Sequence, residues 1–167
     1  MRATMTRRRA GVLGLALATL LATAANAAAP SLAGTWTLVA ADDLHADGTR
    51  TPGYGAAPKG RLIVDDQGRY SLQIFKAERA KFALGDKRKG APAEFESAVL
   101  GSSTHYGTVA VDEAAHLLTF RIEGASYPNW EGTEQKRRYE LKGDALSYQV
   151  PAAPDGTIPI SVWKRVE

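Results

Sequence analysis

From residue 34 onward, apolar and polar positions alternate with a period of two in eight short runs, the pattern of strands with one buried face. The first opens at Gly34, where Trp36, Leu38 and Ala40 alternate with Thr35, Thr37 and Val39 as far as Ala41. Runs 60–65 and 69–76 flank the tight turn Asp66-Gln67-Gly68, and Tyr70, Leu72 and Ile74 share a face of the second. So short a Gly-containing link predicts a hairpin. Runs 103–112 and 116–124 flank Glu113-Ala114-Ala115, with Leu118, Phe120 and Ile122 aligned. Runs 133–142 and 145–150 are joined by Gly143-Asp144, and 157–166 comes last. Pro159 points to an irregular or edge position in that strand, because proline cannot donate to a ladder.

Between the strands, 42–58 is a polar loop rich in Gly and Pro, of the kind that forms lids and mouths. Segment 77–90 is charged and reads as a short helix or loop. Pro92 fits the first turn of a helix through Leu100, stopped by Gly101, with Phe95, Ala98 and Val99 on one side. Residues 125–132 form an irregular connection. Nothing supplies the long crossover helices of a parallel sheet. The expected fold is all-β, an eight-stranded antiparallel up-and-down barrel with one short helix near the middle. A two-sheet sandwich is the structural alternative.

In the run 133–142, Thr133, Gln135, Arg137, Tyr139 and Leu141 fall on one side, and Glu134, Lys136, Arg138 and Glu140 on the other. The second set is a solvent face. The first therefore carries a guanidinium inward, which is costly unless something pairs with it. Either a ligand carboxylate, phosphate or phenolate binds Arg137, with Gln135 assisting, or an internal carboxylate does, or Arg137 is a rim residue. Tyr106 and Thr108 are assigned inward, which puts His105 outward. Tyr127 and Trp130 precede this strand and are expected to shape the mouth.

The leading segment changes the meaning of the charge. Arg2 and Arg7 to Arg9 precede an uncharged apolar run, 10–24, and Ala25-Asn26-Ala27 fits a small-x-small cleavage site. Residues 1–27 are expected to be a secretory signal peptide of the ordinary rather than twin-arginine type, leaving a domain at 28–167. The whole chain has 21 Lys and Arg against 18 Asp and Glu; without the four leader arginines the counts are 17 and 18. The basic balance thus belongs to the leader, and no nucleic-acid partner or lasting membrane span is expected. With no cysteine, thiolate chemistry and disulfides are excluded. His45, His105 and His116 are scattered without metal-ligand spacing, no G-x-S-x-G elbow is present, and no metal or cofactor is expected.

Gly34-Thr35-Trp36 resembles the G-x-W entry of lipocalins, and Trp163-Lys164-Arg165 their closing strand, where an arginine packs across that tryptophan at the barrel floor. More specifically, the chain is similar to bacterial and fungal lipocalin-like domain proteins. The matching motifs are Leu32-x-Gly34-Thr35-Trp36, Lys59-Gly60-Arg61-Leu62-Ile63 with Gly68-Arg69, Tyr106-x-Thr108, Asn129-Trp130-x-Gly132 and Gln135-x-Arg137. The resemblance spans residues 31 to 166 and implies the barrel, but brings no catalytic signature. The expectation is an exported barrel, periplasmic or secreted, that binds a small hydrophobic molecule. Arg137, Gln135, Tyr139, Tyr106, Trp130 and Tyr127 are the ligand-binding candidates. The competing readings are a barrel enzyme (isomerase, cyclase or hydrolase type) and a filled interaction domain. A cavity of roughly 300 Å³ or more would favour a ligand.

Overall fold

The structure, a computed structural model, describes residues 31–166; the expected signal peptide lies outside the described residues. Its strands are β1 (Gly34–Leu44), β2 (Arg50–Thr51), β3 (Lys59–Val64), β4 (Arg69–Phe75), β5 (Ser102–Asp112), β6 (Leu117–Ala125), β7 (Glu134–Lys142), β8 (Ala145–Gln149) and β9 (Ile158–Arg165). Strands β1 and β3 to β9 pair in sequence, and β9 returns to β1, closing an antiparallel barrel and removing the sandwich alternative. β2 is an extra strand, a two-residue hairpin partner of Asp43 and Leu44 inside the expected loop. The one α-helix among the described residues, α1 (Pro92–Leu100), joins β4 to β5.

Local chemistry explains the connections. At the β3–β4 turn the Asp65 carboxylate accepts from the amides of Gln67 and Arg69, both at 2.9 Å, and from Arg69 Nε at 2.6 Å. Gly68 supplies the left-handed residue, with φ 77°. In α1, Pro92 occupies the first turn as expected, and the Glu94 carboxylate takes the amides of Ala91 and Ala83, both at 2.7 Å. Segment 77–90 is a loop.

The closed end is filled. Trp36 and Trp163 are fully buried, with Leu62, Leu118, Phe120 and Leu146 around them. Arg165 lies 4.0 Å over the Trp36 ring and donates to the carbonyls of Ala33 (2.5 Å) and Ser31 (2.7 Å), so the expected floor forms. Side-chain volume of this size leaves open space only toward the other end, where β1, β4 and β8 finish and β5, β7 and β9 begin.

Three strand readings are corrected. β1 does not stop at Ala41: it continues to Leu44, and a register shift between Leu38 and Ala40 turns Ala41 inward. On β5 the buried positions are His105, Gly107 and Val109, so His105 faces the core and Tyr106 does not. Tyr106 is 54% exposed and lies across Gly124 on the outer face, where a side chain at 124 would collide with its ring. Pro159 is not on an edge strand, since β9 pairs with both β8 and β1. It sits beyond the last β8–β9 pair, where its carbonyl accepts the Val150 amide at 2.8 Å.

Candidate functional site

The open end holds a cavity of about 200 Å³ lined by residues of β1, β4, β5, β7, β8 and β9, together with Tyr54 and Trp130. It falls short of the roughly 300 Å³ that would favour a ligand by size alone, because Phe120, Tyr148 and the two floor tryptophans occupy the lower barrel. A cavity near 150 Å³ holds a benzene ring, so this volume suits a ligand built on about one ring. Leu72, Ile74, Val150 and Ile160 make part of the wall apolar.

The polar part of the wall starts from β7. Its alternation is as expected: Arg137 is buried at 4% exposure, Gln135 is half-buried, and Glu134, Lys136, Arg138 and Glu140 face solvent. Among the described residues no carboxylate lies within ion-pair distance of Arg137. The alternative of an internal carboxylate partner is thus not met. Neutral groups hold the cation instead. Nη2 donates to Gln135 Oε1 at 2.8 Å and to His105 Nε2 at 3.2 Å. The guanidinium carbon stands 4.2 Å over the Phe120 ring and 5.0 Å over that of Tyr148. Ring faces attract a cation without neutralising it. Nε is buried with no hydrogen-bond partner.

The donor-only guanidinium determines the proton positions around it. It cannot accept, so His105 Nε2 must present its lone pair and the ring proton must sit on Nδ1. Nδ1 lies 2.7 Å from the Tyr70 hydroxyl oxygen, which accepts that proton. His105 is therefore neutral. Burial first, and the Arg137 charge second, hold its pKa down to about 3. Burial pushes the Tyr70 and Tyr148 hydroxyls up, so both keep their protons. The Tyr148 hydroxyl is buried and makes no hydrogen bond of good geometry, with Ser161, Trp163 and Arg137 as its nearest polar neighbours. Arg137 Nε–H is a buried donor left without an acceptor on the cavity wall, an arrangement that calls for one.

Two acids stand at the mouth. Asp42 and Asp43 line the same cavity, placed there by the extension of β1 that sequence reading took for loop. The cavity wall is therefore cationic at β7 and anionic at the end of β1.

The six candidates divide. Arg137, Gln135 and Trp130 line the cavity together. The Trp130 ring meets His105 edge-on at 5.9 Å, held by the 3-10 turn Pro128–Trp130. Tyr127 packs edge-on against Trp130 at 5.5 Å but lies outside the lining. Tyr139 packs against the core below the cavity, in line with its inward face but away from the site. Tyr106 is on the outer surface. Sequence reading missed His105, Asp42 and Asp43. Val109 on the same face as His105 was the available signal, because the β5 phase that buries Val109 also buries position 105.

The family profile for the lipocalin-like domain matches residues 33–166. No curated protein matches the chain. Among solved structures, a mutant of the fluorescent protein UnaG is similar over 81% of this chain and 96% of its own, at 18% identity and a TM-score of 0.34.

Proposed function

Because the chain belongs to the lipocalin-like domain family, we propose that it is an exported binding protein whose barrel holds one small, mostly apolar molecule with an anionic group on Arg137. The observation that carries this reading is a buried guanidinium without a carboxylate partner, in a cavity with an apolar wall. A ligand carboxylate or phenolate would take the free Nε–H and supply the missing countercharge. Gln135 and His105 fix the guanidinium's orientation rather than compete for those donors. The rest of the ligand, about one ring in size, would lie against Leu72, Ile74 and Ile160 and away from Asp42 and Asp43. The expected leader supports export, and amino-terminal sequencing of the mature protein should begin near Ala28. Binding is favoured over acid–base catalysis because both ring nitrogens of His105 are already engaged.

The test is calorimetric titration with benzoate and with benzyl alcohol, ligands of one shape and different charge. Arg137→Met should lower benzoate affinity about 10- to 100-fold, the range for a hydrogen bond to a charged group. Benzyl alcohol should change little. An unchanged benzoate affinity in a folded variant would overturn the reading.

A further inference from the structure

The loop and helix between β4 and β5 have surface chemistry that the cavity does not explain. α1 buries none of its residues. Leu84, Val99 and Leu100 are exposed at 72%, 59% and 62%, and Phe95 is exposed beside them. Against α1 at Ala98 is a recess of about 400 Å³ lined by Lys59, Lys76, Arg79 and Lys81, with Phe82 among the apolar residues and no acid. None of the four cations is in an ion pair among the described residues. Lys87, Arg88 and Lys89 are exposed on the same loop. Of the acids there, Asp86 pairs with Arg88 at 3.3 Å and Glu94 is taken up by two backbone amides. Only Glu78 and Glu96 stand exposed. Residues 76–101 hold 6 basic against 4 acidic side chains, while the rest of 28–167 holds 11 against 14. The local excess is therefore positive on a protein that is otherwise negative.

We propose that this face docks on an anionic lipid bilayer. Exposed aliphatic side chains interleaved with lysine and arginine are the composition that rests at a headgroup boundary, apolar groups inserted and cations against lipid phosphates. A nucleic-acid phosphate backbone would match the cations but leave Leu84, Val99 and Leu100 unused. A soluble acidic protein would leave the same groups unused at its polar rim. The face also stands at the open end: the Ala77 amide donates to the carbonyl of Tyr54, a cavity-lining residue, at 2.9 Å. Docking would turn the mouth toward the membrane, so that an apolar ligand could pass between the two without crossing water. The docking itself stands whether or not the cavity holds a ligand.

The chain has no cysteine, so a single introduced thiol reports one position. Leu84→Cys in the full chain, labelled with an environment-sensitive fluorophore, is mixed with phosphatidylcholine vesicles with and without phosphatidylglycerol. The probe should brighten and shift to the blue only on the anionic vesicles. A probe at Gln67→Cys, in the turn at the closed end, should stay unchanged, which separates docking of this face from attachment by the leader. Lys76→Gln, Arg79→Gln and Lys81→Gln together should weaken the Leu84→Cys response about a hundredfold, at roughly fivefold per cation. Arg79 packs 4.4 Å over Phe75, so Lys87→Gln with Lys89→Gln provides a second variant without a packing role, expected to weaken it about 25-fold. A silent probe at 84, equal responses at 84 and 67, or no loss in the second variant would each overturn the proposal. So would inorganic phosphate abolishing the response where chloride of equal ionic strength does not, since the recess would then be a site for free phosphate.

Discussion

His105 makes the barrel's stability depend on pH in a calculable way. In the folded protein its pKa is held at about 3, against an ordinary 6.5 in the unfolded chain. Between these values the unfolded chain binds a proton that the folded chain does not, so stability falls as pH falls below 6.5. At about 1.4 kcal/mol per pH unit, lowering the pH from about 7.5 to about 5 should cost about 2 kcal/mol. The loss levels off only near the folded pKa. Carboxylates add their own dependence, so the informative quantity is a difference between proteins. His105→Gln keeps an acceptor for Arg137 and a donor for Tyr70 but cannot titrate. Urea unfolding of both proteins across that range should give curves that converge by about 2 kcal/mol as the pH drops. A wild-type–variant difference independent of pH would refute the neutral, buried histidine and the proton arrangement that follows from it.

Three other outcomes follow from the same structure. Tyr148→Phe removes a buried hydroxyl that makes no hydrogen bond of good geometry, so the ligand-free protein should keep its stability or gain up to about 1 kcal/mol in chemical unfolding, while benzoate affinity falls if that hydroxyl meets the ligand. Gly107→Ala would drive a methyl group into the backbone carbonyl of Arg121, against the β6 register shift; a loss of about 1–3 kcal/mol, or failure to fold, is expected by thermal unfolding. Arg165→Met removes the stack on Trp36 and two hydrogen bonds to carbonyls. It should lower the melting temperature by roughly 4–8 °C for a loss of about 2 kcal/mol, with benzoate affinity within twofold of wild type.

Where a strand keeps strict alternation, its faces could be read from composition. β7 is the clearest case, because four charged side chains on one row leave Gln135 and Arg137 no other face but the inner one. The β3–β4 hairpin and α1 follow from turn and proline chemistry in the same way. The errors lie beside irregularities. The shift in β1 at Leu38 to Ala40 inverts the phase beyond it, which hid the inward Ala41 and the carboxylates carried to the mouth. On β5 the inward assignment of Tyr106 fails because its ring covers the bare backbone of Gly124 on the outer face. The Arg137–His105–Tyr70 set joins three strands, so no local spacing reveals it.

The floor contacts also place the two ends of the domain. Arg165 grips the carbonyls of Ser31 and Ala33, and the Val166 amide bonds Thr35, so both termini of the described chain emerge side by side at the closed end. A reporter or second domain fused at either end would hang from the floor and leave the cavity unobstructed. A short linker joining the two ends should likewise permit circular permutation, with new termini opened at Gly143-Asp144.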